Sequence, residues 1–463
     1  MTNLQPSGLL GALRSPGFKF FVVGLIGFLL LIPALMVWML VSERQSRAVE
    51  AANEVARSWG GRQVLGGVMI AVPYKTQQTV QSTNGVGLAL QPVRKTAIFL
   101  AESLSYDIDL TSDERKRGIF TVPVYEAMVT VSGTFEKPDP GRLGLAASTQ
   151  LLWREAVLSI PVSHPRALRA GVVADIDGAE RAVEPGSGLG ADFSQRGVHV
   201  NNLFANGPRE FEFRLVMGVK GSATMAVTPG ARDTRVKILS NWPHPSFFGG
   251  HLPDTSSIAK DGFSASWRVP HLALSMPLAF RAGENTSFGL RSDQALGVRL
   301  YQPVDHYQLV ERAIKYAVLF IGSVFVAVFV LETRSGKAVH GAQYALMGLA
   351  LVLFYVLLLA FAEHIGFKAA YGVAAGATAA LVSSYCGKLL GSRRRGIVIA
   401  GLLGAVFALL FLFLQMEDFA LLAGAIFAFA VLAVVMFSTA SLDWSGRGEI
   451  AQGGSSPTPQ PQD

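Results

Sequence analysis

Apolar residues gather in two parts of the chain. One apolar stretch long enough to cross a membrane covers residues 20–41, and residues 42–312 contain none of that length. Five more follow in the last third of the chain, at 313–331, 343–362, 368–387, 396–416 and 419–437. A helix needs about 20 apolar residues to cross the hydrocarbon core. The pattern predicts an integral membrane protein, an α-helical bundle of about six transmembrane helices with a large domain inserted between the first two.

The first apolar stretch is expected to persist as a signal anchor. Bulky residues continue to its end at Met39-Leu40, with no small-residue cleavage site before Ser42. Residues 43–57 are then rich in helix formers and contain neither Gly nor Pro, so the anchor helix should continue into water. Gly60-Gly61 should end it.

The inserted domain, residues 42–312, has the period of β-structure. Phe211-Glu212-Phe213-Arg214-Leu215 alternates apolar and polar positions, as a half-buried strand does. Short runs rich in Val, Ile, Phe and Tyr recur at 64–74, 95–104, 119–135, 153–162, 210–219 and 222–228. We predict a β-rich domain here. It could be one domain, or two subdomains joined near the Gly-rich residues 184–190, and the sequence leaves both arrangements open.

Composition agrees with a membrane protein. Hydrophobic residues make up 50% of the chain, charged residues only 16%, and the mean hydropathy is +0.38, whereas soluble domains average about 25% charged residues. The single cysteine, Cys386, lies in an apolar stretch, so the inserted domain cannot depend on disulfides. The net charge of +7 falls to +3 within residues 42–312, which argues against nucleic acid as a partner.

Charges at the ends of the apolar stretches predict the orientation. With the N-terminus inside, the cytoplasmic tips carry Lys388 and Arg393-Arg394-Arg395, whereas Lys368 on an outer turn is balanced by Glu363. This distribution follows the positive-inside rule. We therefore expect a cytoplasmic N-terminus at 1–19, a five-helix bundle at 313–438 and a disordered cytoplasmic tail at 439–463. The large domain would lie outside the cytoplasm.

No catalytic motif stands out. The chain has no phosphate-binding loop, nucleophile elbow or zinc-binding HExxH helix. In the loop 241–254, His244 and His251 with Asp254 could supply metal ligands. Three prolines and three aromatic residues instead favour a rigid loop packed on a sheet, and no third histidine is near. We predict no catalytic residue, metal or other cofactor.

Two groups form the candidate functional surface. The first comprises Trp242, His244, Ser246 and Phe247, in the loop just described. The second is the pair Glu363-His364 at the outer end of the third apolar stretch, where a structural role is the stronger interpretation. Ion-coupled transporters carry ionisable groups near the middle of the membrane. The predicted spans have charges only near their ends, which disfavours that class.

Short stretches throughout the chain together match one known pattern. They include Leu31-Ile32-Pro33, Trp59-Gly60-Gly61-Arg62-Gln63, Trp242-Pro243-His244-Pro245-Ser246-Phe247, Gly262-Phe263-Ser264-Ala265-Ser266-Trp267, Arg312-Ala313-Ile314-Lys315-Tyr316, Gln343-Tyr344, Glu363-His364-Ile365-Gly366-Phe367 and Leu442-Asp443-Trp444. In these residues the chain resembles the CreD family of inner-membrane proteins of Gram-negative bacteria. Gly341 departs from the family, which usually has Pro before Gln-Tyr, and the tail beyond Trp444 has no counterpart.

The resemblance implies a place and a process. The family is linked to cell-envelope integrity, envelope stress and control by a two-component system, and it has no established catalytic activity. We therefore expect a multi-pass inner-membrane protein whose periplasmic domain binds envelope proteins or lipid, in contact with the lipid bilayer. Two alternatives remain: a transporter or lipid-handling protein, which should have an apolar cavity between helices, and an enzyme, which should bring His, Asp or Ser together in one pocket.

Overall fold

The computed structural model describes ten stretches of the chain. They are residues 16–81, 88–145, 149–169, 171–189, 196–274, 276–282, 294–300, 306–335, 338–416 and 420–439. The predictions for residues 1–15 and for the tail from 440 onward therefore lie outside the described residues. The chain divides into two compact units, a helical unit of residues 1–47 with 304–463 and a β unit of residues 48–303.

Helices begin and end the described chain. Helix α1 (Pro16–Leu29) and helix α2 (Leu31–Trp59) come before the β unit, and α2 continues into it. The remaining helices are α3 (His306–Lys315), α4 (Ala317–Ser335), α5 (Gly341–Ile365), α6 (Phe367–Leu389), α7 (Arg393–Gln415) and α8 (Ala420–Thr439).

Membrane-length helices are present, as the apolar pattern predicts, although fewer than six are established. Within the described residues, four helical stretches are long and apolar enough to cross a membrane: Gly17–Trp59, Gly341–Ile365, Phe367–Leu389 and Arg393–Gln415. Helices α3 and α4 meet at a bend of 48° and could together form a fifth span. In α8 the apolar part, Leu422–Phe437, is shorter than these spans, so a sixth span remains a prediction.

Helix α2 confirms the predicted extension of the anchor. It runs without a break through residues 43–57 and ends at Trp59. Gly60 and Gly61 follow with φ of 105° and 70°, a left-handed backbone that glycine adopts without strain. A Cβ at Gly60 would lie 2.5 Å from that of Ala167. Only glycine therefore fits where the chain turns from helix to strand.

A buried carboxylate joins three helices of the helical unit. Glu332 of α4 forms an ion pair with Lys19 of α1 and accepts a hydrogen bond from the Tyr344 hydroxyl of α5 at 2.9 Å. It also accepts the backbone N–H of Val339 at 2.6 Å. A buried charge is tolerated when it is paired and hydrogen-bonded in this way.

The β unit is built mainly from strands. Those of the first half are β1 (Gln63–Leu65), β2 (Met69–Gln81), β3 (Leu88–Arg117), β4 (Phe120–Phe135), β5 (Gln150–Leu151), β6 (Val157–Pro161), β7 (Val173–Ile176), β8 (Ala179–Arg181), β9 (Glu184–Pro185) and β10 (Gly197–Val200). Those of the second half are β11 (Phe211–Ser222), β12 (Thr224–Val227), β13 (Ala231–Ser240), β14 (Pro245–Phe248), β15 (Thr255–Ala259), β16 (Gly262–Pro270), β17 (Ala279–Arg281) and β18 (Leu296–Leu300).

The long strand β3 organises the larger sheet. Its first half pairs with β2 and its second half with β4, both antiparallel, while β13 runs parallel along its other edge. Strand β11 continues the sheet beyond β4, and β7 follows β11. A smaller sheet has the order β1-β12-β18-β14. Each of the six runs predicted as strands contains part of a strand, so the β-rich interpretation is confirmed.

Alternation along the strands creates the core. In β11, Phe211, Phe213 and Leu215 are buried, whereas Glu212 and Arg214 are exposed. Successive side chains of a strand point to opposite faces, so one face packs and the other meets solvent. The core also holds Tyr106, whose buried hydroxyl donates to the carbonyl of Gly66 at 2.7 Å. Burial raises the pKa of this tyrosine.

Candidate functional site

The predicted loop 242–247 contributes mainly to packing. Trp242 is buried in the core, and Phe247 of β14 meets the rings of Phe263 and Trp267 edge-on at centroid distances of 5.7 and 5.8 Å. Edge-to-face contacts of this kind stabilise aromatic clusters. Only His244 of this group is fully exposed. It is therefore the side chain through which the loop could contact a partner.

Ser246 lies next to Phe247, on a strand that is paired within the smaller sheet. It belongs to β14 and stands opposite Arg299 of β18 in the antiparallel register. Its side chain is half-buried. The loop is also fastened to the larger sheet, because Asn241 Oδ1 accepts hydrogen bonds from the backbone N–H and the hydroxyl of Ser112, both at 2.7 Å. The strand pairing and these hydrogen bonds fix the backbone around Ser246.

The predicted pair at the end of α5 separates into two environments. The Glu363 carboxylate is 8% exposed, accepts a hydrogen bond from the Tyr307 hydroxyl at 3.0 Å and lies 3.9 Å from Arg44 Nη1. His364 is exposed. Glu363 thus joins α5 to α3 and to the anchor helix α2 within the helical unit. The pair is in the helical unit and the loop 242–247 is in the β unit.

A larger feature of the β unit was not foreseen from the sequence. An open cleft of about 1200 Å³ lies where the last turns of α2 meet the sheet. We call it the cationic cleft because its lining includes four arginines and a histidine: Arg57, Arg62, Arg166, Arg196 and His164. No Asp or Glu is among the described residues that line it.

Helix α2 forms one wall of the cationic cleft and is held firmly there. Trp59 donates from Nε1 to the carbonyl of Tyr125 at 3.3 Å, and its ring lies under Lys220 Nζ at 4.4 Å. Glu54 accepts two hydrogen bonds from Arg117, at 2.9 and 2.6 Å. A bidentate pair of this kind fixes geometry as well as adding energy. The part of α2 that forms this wall is therefore packed as part of the β unit.

Hydrogen bonds around Gln63 fix the backbone turn that forms the floor of the cationic cleft. This buried side chain donates to the carbonyls of Gly60 at 2.6 Å and Lys220 at 3.1 Å. The hydroxyl of Ser163 accepts the backbone N–H of Val64 at 2.9 Å, and the backbone N–H of Ser222 donates to the carbonyl of Gly61 at 2.8 Å. These bonds hold the exposed side chains of His164 and Arg62 at the rim of one depression, with the buried Ser222 beside them.

The described lining of the cleft does not bring together the parts of a serine hydrolase. Ser163 Oγ and His164 Nδ1 are 3.1 Å apart, but both also contact the carbonyl of Arg62, at 3.2 and 3.1 Å. A nucleophile–base pair needs a third group that orients the base. The described lining offers no carboxylate for this purpose. Ser163 and His164 instead stabilise the backbone turn at Arg62.

Charge in the cationic cleft is strongly one-sided. The C-terminal end of a helix carries roughly half a negative elementary charge, and α2 ends here. Four arginines, each permanently charged, outweigh this. Arg57, Arg62 and Arg166 form no ion pair with any described residue, so no described carboxylate neutralises these three charges. Elsewhere in the unit some arginines, such as Arg117 and Arg169, pair with a described carboxylate, and others, such as Arg154, do not. The cleft therefore favours an anion.

A second depression crosses the larger sheet. This sheet groove, of about 500 Å³, has a floor of hydroxyls from Ser103, Ser105, Ser132 and Thr134. Charges of both signs flank it, from Asp175, Asp177, Arg214, Asp233 and Arg235. Internal hydrogen bonds use many of these groups, such as the 2.7 Å bond between Ser103 Oγ and Thr134 Oγ1. The groove is the solvated face of the sheet.

Carboxylates beside the sheet groove are held in their charged form. Arg268 Nε donates to Asp233 Oδ1 at 2.9 Å, and this bond, against the opposing effect of burial, lowers the pKa of Asp233. Burial would raise the pKa of Asp177, but the N–H of Glu212 and the side chain of Arg209 donate to it and lower the pKa overall. Both aspartates therefore act as structural charges.

Among the described residues, no group of three or more His, Cys, Asp or Glu side chains could hold a metal ion. The histidines of the loop 241–254 accordingly do not form part of such a group. The cationic cleft was missed because its arginines come from three distant segments, around residues 57–62, 166 and 196. The one local signal was Gly60-Gly61-Arg62, which in the sequence indicates the end of the anchor helix and forms part of a stretch that resembles the family.

Comparison with known proteins identifies the family. The model of the family described as inner membrane protein CreD matches residues 15–445. The Inner membrane protein CreD of Escherichia coli (strain K12) is 31% identical over 418 residues, which cover 90% of this chain and 91% of that protein. The match therefore includes the anchor helix, the β unit with its cationic cleft, and most of the C-terminal helices. The chain belongs to the CreD family of inner membrane proteins.

Proposed function

We propose that this chain supports the integrity of the cell envelope and its response to envelope stress by binding an envelope component through the β unit. In this proposal the β unit is periplasmic, both termini are cytoplasmic, and the helices form a multi-pass anchor in the inner membrane. The bound component is an envelope protein or a lipid. No chemical step is needed for such a role.

The cationic cleft is the observation that carries the proposal. It is large, open and one-sided in charge, and one wall is the continuation of the anchor helix α2. Small-molecule sites have volumes of about 300–1,000 Å³, so a cleft of about 1200 Å³ is large enough for a ligand or for a segment of a partner. A ligand held here would contact the same helix that anchors the chain.

The charges at the helix ends support the proposed orientation. Lys388 lies in the last turn of α6, and Arg393, Arg394 and Arg395 open α7. Short loops rich in Lys and Arg stay on the cytoplasmic side. The two spans α6 and α7 would then turn at this tip inside the cell, and α5 and α6 would turn near Gly366 on the outer side.

A lipid-handling role is the second candidate. It is favoured by an apolar cavity of about 330 Å³ in the helical unit, between α1 and α4. The cavity is lined by Phe20, Phe28, Phe325 and Phe329 with small residues such as Gly24, and no described lining residue is charged. Such a cavity suits an acyl chain better than an ion.

In-cell photo-crosslinking tests the proposed function. A photoreactive amino acid replaces His164 in the cationic cleft, His244 in the loop or, as a control, Lys260 on an exposed turn of the β unit. We expect a discrete protein or lipid adduct from position 164 that position 260 does not give. Equal background from positions 164 and 260 would contradict binding at the cleft, and an adduct from position 244 alone would move the site to the loop.

A further inference from the structure

We propose that the cationic cleft binds an amphiphile that carries a phosphate group, with the phosphate held by arginines and the apolar body lying along the wall of α2. The inference rests on the proposed function, since it names the chemical class of the component that the β unit binds. It is carried by the composition of the lining, by a buried hydroxyl and by the apolar wall.

The arginines supply the recognition of phosphate. Arg62 and Arg166 are exposed at the rim, and neither forms an ion pair with a described residue. Guanidinium groups present planar forks of N–H donors that match phosphate oxygens bidentately. A phosphate ester offers several oxygens, so donors from different segments can engage it at once. A carboxylate has only two oxygens and would leave part of this donor set unused.

Ser222 provides an independent sign of a ligand. Its side chain is fully buried, its Oγ has no hydrogen-bond partner among the described residues, and the residue lines the cationic cleft. A buried hydroxyl without a partner is costly and is rare in folded proteins. Because this hydroxyl has no accessible surface, a polar group seated in the cleft would become its partner once the Ser222 side chain turns toward the cleft.

Apart from Asn53 and the two serines, the rest of the lining is apolar and suits a hydrocarbon body. Ala52 and Ala56 face the cleft from α2, and Val122, Pro123 and Pro165 face it from the sheet side. A soluble phosphate would leave this surface in water. Burying an apolar chain against it would add affinity in proportion to the area removed from water. The combination of arginines and apolar wall therefore selects an amphiphile over a free anion.

A binding measurement on the full-length protein tests the inference. The purified chain in neutral detergent is titrated with fluorescent phosphatidic acid, and with the matching neutral diacylglycerol. We expect saturable binding of the phosphatidic acid only. The double variant Arg62→Gln/Arg166→Gln should weaken it at least about tenfold, since each hydrogen bond to a charged group contributes a comparable factor. Ser222→Ala should weaken it by less.

Matched variants separate this site from general charge attraction. Arg94→Gln/Arg154→Gln removes two exposed arginines outside the cationic cleft and should leave the affinity unchanged. Arg62→Lys/Arg166→Lys keeps the charge but loses the fork, and should restore only part of the affinity. Melting temperatures of all the variants, measured alongside, show that they are folded. Equal affinity in the Arg62/Arg166 and Arg94/Arg154 double glutamine variants would overturn the inference.

Competition distinguishes the sources of phosphate. If inorganic phosphate or glycerol phosphate displaces the probe no better than chloride does, the lipid source is supported. If either displaces it as well as unlabelled phosphatidic acid does, the apolar wall contributes nothing and the amphiphile is ruled out. An envelope protein crosslinked at position 164 without any lipid binding would overturn this inference and leave the proposed function standing. If position 164 gives no crosslink and phosphatidic acid does not bind, both this inference and the proposed function are contradicted.

Discussion

At the scale of single residues, the pairing of strands in the β unit depends on a position where no Cβ atom fits. Gly133 of β4 stands opposite Leu104 of β3 and Phe213 of β11. A Cβ placed there would lie 2.2 Å from the carbonyl oxygen of Ser103 and 3.0 Å from the ring of Phe213. The carbonyl oxygen of Ser103 belongs to the backbone and cannot move aside as the end of a flexible side chain could. The absence of a side chain therefore permits the close approach of three strands.

Gly133→Ala should destabilise the protein by about 1–3 kcal/mol, the cost of overpacking a tight interior. We expect a lower melting temperature of the purified full-length chain. Gly250→Ala is the matched control, because an added Cβ there meets nothing within 4 Å, and it should change stability by less than about 0.5 kcal/mol. Equal melting temperatures for the two variants would contradict the close approach at Gly133.

Asp233 should make stability depend on acid. Because its pKa in the folded protein is lowered by Arg268, its contribution is present above the ordinary aspartate pKa of about 3.9 and is lost as pH falls through the folded pKa. Asp233→Asn should therefore lower the melting temperature at neutral pH, and its deficit relative to the wild type should vanish in acid. Asp261→Asn, at an exposed position without a described ion pair, should show neither effect. A deficit that persists unchanged at low pH would contradict the role of the charge.

At the scale of elements, the sequence predicted what local pattern controls. The length of α2 and its end before Gly60 followed from propensity and from the glycine pair. The strand near 119–135 followed from its β-forming composition, and the strand near 210–219 also from alternation. Strands β13 and β16 were not predicted, although they pair with each other and β13 runs parallel to β3. Parallel pairing joins segments more than a hundred residues apart, and no local signal records it.

Glu363 shows how a helix is held by a residue that the sequence marks as a functional candidate while favouring a structural role. Glu363→Ala should destabilise the helical unit by about 1–3 kcal/mol, because it removes the carboxylate that accepts the 3.0 Å hydrogen bond from the Tyr307 hydroxyl. His364→Ala is the neighbouring control and removes an exposed side chain. We expect a lower melting temperature for the first variant only. If instead His364→Ala alone impairs envelope function in cells, the functional interpretation of the pair gains support.

At the scale of the whole molecule, the chain leaves the helical unit after residue 47 and returns to it at residue 304. Because the β unit is inserted between two parts of the helical unit, the side of the membrane on which it lies depends on the orientation of the helices. The distribution of Lys and Arg then decides the side on which the β unit is proposed to lie.

Cysteine labelling checks this orientation. The native Cys386 is buried beside Met347, and Cys386→Ala gives a background without cysteine. In that background, Lys260→Cys should react in intact cells with a membrane-impermeant maleimide that can cross the outer membrane. Arg394→Cys, at the basic tip between α6 and α7, should react only after the inner membrane is opened. Both side chains are exposed. The reverse pattern would contradict a periplasmic β unit.

By itself, the sequence determined the classes of structure: apolar helices at both ends, a β-rich insertion and the helix that continues from the anchor. These depend on period and composition within a few residues, which the chain displays directly. Only the tertiary structure decided the joining of helices at Glu332 and the cationic cleft. Arg62, Arg166 and Arg196 lie far apart in the chain, and strand register brings them to one depression. Contacts between distant segments depend on the packing of the whole unit, and no single segment encodes them.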